Sequence, residues 1–131
     1  MTPEAGKEPY FPGRALIDAY GNGGFRFAEM SHRGSLLILP SGIYSWAVGA
    51  MSELSAASLS PVFAEHTEIE LVLLGTGTAQ IWPDPSVRQA FADNNLVLEC
   101  MDTGAAVRTY NVLLAESRNV AAALIAVDLT G

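Results

Sequence analysis

The spacing of hydrophobic positions changes midway along the chain. Between residues 14 and 46 they alternate with polar residues or run in short blocks, as half-buried and fully buried strands do. Phe25 and Phe27 flank Arg26, which makes one face of that segment apolar and the other polar. Arg14 to Tyr20 reads as the strand before it. Between the two, Gly21-Asn22-Gly23-Gly24 supplies residues that tolerate positive φ, a strong hairpin signal. Ser31 to Gly34 reads as a second turn. Leu36 to Leu39 is apolar on both faces, which predicts a central strand. Pro40 ends it, and Ser41-Gly42 leads into a further strand from Ile43 to Trp46. The first half is therefore expected to be mostly antiparallel β.

Residues 49 to 60 are small and rich in Ser and Ala, with weak helical periodicity. Ser60 followed by Pro61 predicts a capped short helix reaching Glu65. Beyond it, strand and helix periods alternate. Ile69 to Leu74 predicts a buried strand that runs into Gly75-Thr76-Gly77. Asp84-Pro85 opens a helix carrying Val87, Ala90 and Phe91 on one face, and Asn94-Asn95 stops it. Leu96 to Met101 is the next strand. Asp102-Thr103 caps a longer helix with Ala106, Val107, Tyr110, Leu113 and Leu114 as its apolar stripe. Val120 to Val127 is the last strand. Strands separated by such helices predict a β-α-β-α-β unit with right-handed crossovers. Residues 1–13, rich in Pro and Gly, are expected to form a flexible lead-in to a single α/β domain over 14–131.

Length and charge narrow this reading. The chain has 131 residues, one domain's worth, and it is 50% hydrophobic and 16% charged, which excludes disorder. Size scaling lets a chain of this mass bury about two-thirds of its extended surface, enough for a core without metal or disulfide staples. The single cysteine, Cys100, excludes an internal disulfide. A net charge of −7 argues against a nucleic-acid partner held by bulk charge. The longest apolar runs fall far short of a membrane span. The first residues hold acids and prolines and no apolar core, so neither a secretory signal nor a mitochondrial presequence is expected. The expected location is the cytoplasm. This charge does not prevent self-association, and small α/β proteins often dimerise, so a homodimer is carried as an expectation.

Candidate chemistry is sparse. Gly75 and Gly77 end a strand, where backbone N–H groups can approach an anion. The dinucleotide fingerprint fails at Gln80, and Trp82-Pro83 delays the next helix; the only lysine is Lys7, so a Walker loop is absent. A tight strand exit is the simpler reading. Asp102 or Thr103 caps the following helix. Asn111 and Arg118 share a stripe of that helix two turns apart, bordering the core. Such an Asn usually satisfies backbone groups and such an Arg usually pairs with a carboxylate; the alternative is a polar groove edge with Arg118 binding a partner's carboxylate. Cys100 reads as a buried, inert thiol. His32 and His66 stand in no ligand pattern, and the acids from Glu65 to Glu70 read as a solvated loop, so no metal is expected. Hydrolase signatures are absent. Trp46 and Trp82 are core residues or, if exposed, interface anchors.

The order of these motifs resembles a family of small α/β proteins that includes the mitochondrial respiratory complex I assembly factor 3 and uncharacterised bacterial relatives. The resemblance runs from about Ala15 to Val127. Its most specific piece is Asp102-Thr103, Ala106, Thr109-Tyr110-Asn111, Leu113, Glu116 and Arg118. The strand ending in Gly75-Thr76-Gly77 is the second. Phe25 and Phe27 with Gly34, Leu37 to Pro40 and Trp46 form the third. Two positions depart from it: Ser117 stands where members often have Gly, and Val107 where Cys is frequent. The absence of an import sequence makes the chain look like a bacterial relative. The resemblance implies a three-layer α/β fold around a mixed central sheet.

It also implies help in building a membrane respiratory complex, without known catalysis and without a cofactor. The first functional expectation is thus a non-enzymatic assembly or interaction factor, meeting respiratory subunits or membrane insertion factors peripherally at the inner membrane. Its candidate residues are Gly75, Gly77, Asp102, Thr103, Asn111, Glu116 and Arg118, with Trp46, Trp82 or Phe91 rimming an apolar patch. The alternative is a small-molecule or anion-binding protein, or an undiscovered enzyme, with its site at the strand ends near Gly75-Gly77.

Overall fold

The computed structural model describes residues 9–128. Residues 1–8 of the expected lead-in lie outside that range. The rest of it runs beside a strand: the Tyr10 N–H donates to the Ile43 carbonyl at 2.7 Å, and the Ile43 N–H donates to the Phe11 carbonyl at 3.0 Å.

Eight strands and three α-helices follow among the described residues. β1 (Ala19–Gly21), β2 (Gly24–Phe27) and β3 (Met30–Arg33) form a small antiparallel sheet. β4 (Ser35–Leu39), β5 (Gly42–Trp46), β6 (Leu71–Gly75), β7 (Val97–Met101) and β8 (Val120–Leu124) form a five-stranded sheet in the order β5-β4-β8-β6-β7. β6 lies parallel to both β7 and β8, whereas β4 runs antiparallel to β5 and β8. The helices are α1 (Ser60–Ala64), α2 (Pro85–Asp93) and α3 (Thr103–Ala115), and short 3₁₀ turns fill the region from 51 to 68.

The alternation of side chains along each strand splits the core in two. Leu37, Leu39, Val72, Leu74, Ala121 and Ala123 face α1 and α2, and bury Trp46, Val62 and Phe91. Leu36, Ile38, Leu73, Ala122 and Leu124 face the other way, toward α3 and the small sheet, and bury Tyr110, Phe25 and Phe27. The architecture is therefore the expected one: a three-layer α/β domain with a mixed central sheet, a β-rich first half and a β-α-β-α-β second half.

Local chemistry explains the boundaries. Asn22 and Gly23 both take positive φ, 54° and 78°, so Gly21 and Gly24 pair across a two-residue hairpin. Asp84 caps α2 by accepting from the Ser86 N–H, with Pro85 at the first turn. Asp102 caps α3 by accepting from the Ala105 N–H.

Several boundaries differ from those read in the sequence. Ser31 to Arg33 is strand; the turn lies two residues earlier, at Ala28 and Glu29, which hold φ of 49° and 62°. Neither is a favoured left-handed residue, so the polar Ser31-His32-Arg33-Gly34 was the more obvious signal. Of the segment from Arg14 to Tyr20, only Ala19 and Tyr20 are strand, because side chains from α3 take the place of a neighbouring strand (below). Ser60 is the first residue of α1 and not its cap. β8 ends at Leu124, after which the chain turns to the hairpin tip. There the Asn22 and Gly23 N–H groups donate to the carbonyls of Asp128 and Val127.

Candidate functional site

After β6 the chain crosses to α2 on one face of the sheet, and after β7 it crosses to α3 on the other. The carboxyl ends of these two neighbours are thus where an open α/β sheet forms its ligand crevice. Gly75, Thr76, Gly77, Asp102 and Thr103 meet there.

The chain's own groups fill this place. Thr103 is fully buried. Its hydroxyl donates to the Ile125 carbonyl at 2.7 Å and accepts from the Gly77 N–H at 3.0 Å. Its own N–H donates to the Gly77 carbonyl at 2.8 Å, and the Thr76 N–H donates to the Met101 carbonyl at 2.9 Å. The Thr76 hydroxyl donates to the Ala79 carbonyl and accepts from the Ile81 N–H. Gln80 reaches back along the sheet edge to the Cys100 carbonyl at 2.8 Å. The amides of Thr76 and Gly77 are therefore engaged within the protein.

Both glycines have a structural reason. A Cβ at Gly75 would stand 3.0 Å from the Thr103 hydroxyl and 3.1 Å from Leu124, so glycine lets α3 close on the sheet. Gly77 has open space around it but a φ of +105°, which side chains rarely adopt.

The remaining candidates do not converge on this crevice. Asn111 faces the segment before β1. Its Oδ1 accepts from the Ile17 N–H and its Nδ2 donates to the Ile17 carbonyl, both at 2.8 Å. One side chain thus does what a neighbouring strand would do. Beside it, the Tyr110 hydroxyl donates to the Ala15 carbonyl at 2.7 Å, and burial raises that phenol well above its ordinary pKa. Arg118 lies past α3, where its Nε donates to Glu70 at 2.5 Å. Glu70 precedes β6, so this pair sits at the opposite end of the sheet from the crevice. Both side chains are nearly half exposed, which limits the pair to about 1 kcal/mol. Glu116 caps the end of α3 and is exposed. Ser117 adopts the left-handed conformation, φ 63°, that a glycine would take more readily.

The two tryptophans separate. Trp46 is buried, and its indole N–H donates to the Ser58 carbonyl at 2.8 Å, so of its two readings it takes the core one. Phe91 is buried as well, edge-on to Phe63, so it rims no surface patch. Trp82 is 68% exposed. Ile81 and Val97 are exposed too, on the same loop and on the edge strand β7; an exposed apolar residue has no local signature in the sequence. Cys100 is buried, and loss of hydration with Glu99 nearby pushes its thiol up to about 11, as an inert thiol requires. Among the described residues no cluster of His, Cys, Asp or Glu could hold a metal ion.

Comparison with known proteins bears on the family and the fold. A model for a family of proteins of unknown function (DUF498/DUF598) matches residues 17–125. The chain is 33% identical over 115 residues to NADH dehydrogenase (ubiquinone) 1 alpha subcomplex assembly factor 3 of Mus musculus. That match covers 88% of this chain and 62% of the mouse protein, so the chain spans under two-thirds of that relative's length. It is 36% identical over 121 residues to an uncharacterized protein of Rhodobacter capsulatus, covering 92% of each. A crystal structure of an outer membrane protein from Bartonella henselae superposes with a TM-score of 0.87 at 50% identity, covering 90% of this chain and 99% of that one.

Proposed function

This chain belongs to the DUF498/DUF598 family, within reach of complex I assembly factor 3, and from that membership we propose that it is a non-enzymatic interaction factor in the assembly of a membrane respiratory complex. The observation that carries the proposal is Trp82. Its indole is two-thirds in water, although burying such a side chain gains a few kcal/mol. The loop around it is well fixed: Gln80 is tied to the edge of β7, Pro83 is buried, and Asp84 caps α2. A rigid, exposed aromatic is what protein interfaces use as an anchor. Ile81 and Val97 supply further apolar surface on the same loop and edge strand.

No helix among the described residues is long and apolar enough to cross a membrane, so in this reading the protein meets the complex through a partner subunit or an insertion factor. The test is affinity capture of the tagged protein from gently solubilised native membranes, read by mass spectrometry. Respiratory subunits or insertion factors are expected with the wild type and with Arg118→Ala, whose ion pair lies at the opposite end of the sheet. They are expected to be lost with Trp82→Ala. No such component above background with the wild type would overturn the role, and equal recovery with Trp82→Ala would overturn the surface.

A further inference from the structure

The small sheet has a polar outer face whose residues follow from its register. Gly21, Gly24 and Arg33 pair across one row, and Ala19, Arg26 and Ser31 across the next. Phe25 and Phe27 point the other way, into the core. The rows differ in bulk. Gly21 and Ala19 on β1 and Gly24 on β2 leave part of the face bare, while Arg26 rises from the central strand β2 and Arg33 from the outer strand β3. The result is an open cavity of about 300 Å³ lined by these residues and the backbone between them. Its floor is fixed by the sheet itself: a Cβ at Gly24 would stand 2.1 Å from the His32 carbonyl oxygen, so no side chain can occupy that spot.

The charges are placed with equal economy. Arg26 and Arg33 are diagonal neighbours across β2 and β3, about 7–8 Å apart at their roots. Two guanidinium groups thus share one small face in a chain of net charge −7. Among the described residues the ion pair seen is that of Arg118 with Glu70, and neither cavity arginine has a carboxylate partner. Arg26 is instead steadied by its Nη1, which donates to the Ser31 hydroxyl at 2.7 Å. That bond holds the fork over the face and leaves its other N–H donors available. The Arg33 Nη1 and the Asp128 Oδ1 lie 3.5 and 3.6 Å from the point where a Cβ on Gly23 would stand, so the two groups are near each other. Asp128 is therefore the internal competitor for Arg33.

We propose that this face binds a small oxyanion, a metabolite carrying a phosphate or a pair of carboxylates, gripped between Arg26 and Arg33 over the bare glycine floor. Paired guanidinium forks match such groups in geometry and charge. This site is separate from the strand-end crevice and independent of the interaction role proposed above.

The test is a titration of the ¹⁵N-labelled protein with inorganic phosphate and, separately, with malonate at low ionic strength. Saturable shifts are expected at the Arg26 and Arg33 Nε–H signals and at the Gly21 and Gly24 amides with at least one probe. Which probe saturates tells phosphate from dicarboxylate. Arg26→Gln and Arg33→Gln should each weaken binding about tenfold or more, since each removes charge-assisted hydrogen bonds. Asp128→Asn should tighten it, and Arg88→Gln, at an exposed position of α2, should leave it unchanged. Only linear, non-saturating drift with both probes would overturn the proposal. So would an Arg88→Gln effect equal to that of the cavity variants.

Discussion

Thr103→Val removes one oxygen and nothing else of consequence, because valine has nearly the shape of threonine. That oxygen serves two backbone groups at once, the Gly77 N–H and the Ile125 carbonyl, at 3.0 and 2.7 Å. Thr103 has no exposed surface, so water does not replace it. Each buried group left unsatisfied costs about 1–3 kcal/mol, which puts the substitution at about 3 kcal/mol in all. For a domain of this size that is a large share of a total stability of about 5–15 kcal/mol. With a urea dependence of about 2 kcal/mol/M, the unfolding midpoint should fall by about 1.5 M, with the slope unchanged. Urea unfolding followed by tryptophan fluorescence reads it directly, since Trp46 is buried in the native state. Thr103→Ser keeps the hydroxyl and should cost only about 1 kcal/mol for the lost methyl group. A midpoint shift below about 0.3 M for the valine variant, or an equal shift for the serine variant, would refute the idea that this hydroxyl closes the crevice.

Three further outcomes follow from other contacts. Asn111→Ala strips the segment before β1 of both Ile17 hydrogen bonds and should cost about 2 kcal/mol by denaturant titration, whereas Val112→Ala on the exposed face next to it should stay within about 0.5 kcal/mol. Ser117→Gly relieves a positive φ at the end of α3 and should stabilise the protein by about 0.5–1 kcal/mol, seen as a raised unfolding midpoint. The Cys100 thiol is held neutral in the fold with its pKa up to about 11, above its usual 9.0, so its contribution is fully present below pH 9 and is lost as pH rises through 11. Stability measured across that window should fall with pH, and Cys100→Ala should flatten the fall; a thiol reagent at pH 8 should react with the native protein far more slowly than with the unfolded chain.

Some of this protein is written in short stretches of residues. Asn22-Gly23 accepts positive φ at both positions, so the first hairpin needs no help from the rest of the fold. Asp84 and Asp102 each offer a carboxylate to the first free N–H groups of a helix, and Leu36 to Leu39 is apolar on both faces, so α2, α3 and the interior position of β4 are local properties as well. Even the glycine pair at 75 and 77 is legible as a tight strand exit. These features rest on backbone conformation and on periodicity, which a few neighbouring residues settle by themselves.

What the tertiary structure decided is which surfaces meet. Trp46 ends β5 and Trp82 lies in the loop before α2, and one finds the Ser58 carbonyl in the core while the other finds water. Arg14 to Ile17 reads as strand but lies outside β1, and Asn111, almost a hundred residues away, supplies the hydrogen bonds of Ile17. The strand ends look like a ligand crevice in the order of elements, but a threonine hydroxyl that arrives from α3 closes them. Arg26 and Arg33 look like two solvated charges seven residues apart until the antiparallel register sets them diagonally over a bare glycine floor. Hydrogen bonds and charges act over a few ångströms in space, and only the packed fold determines which distant residues come within that range.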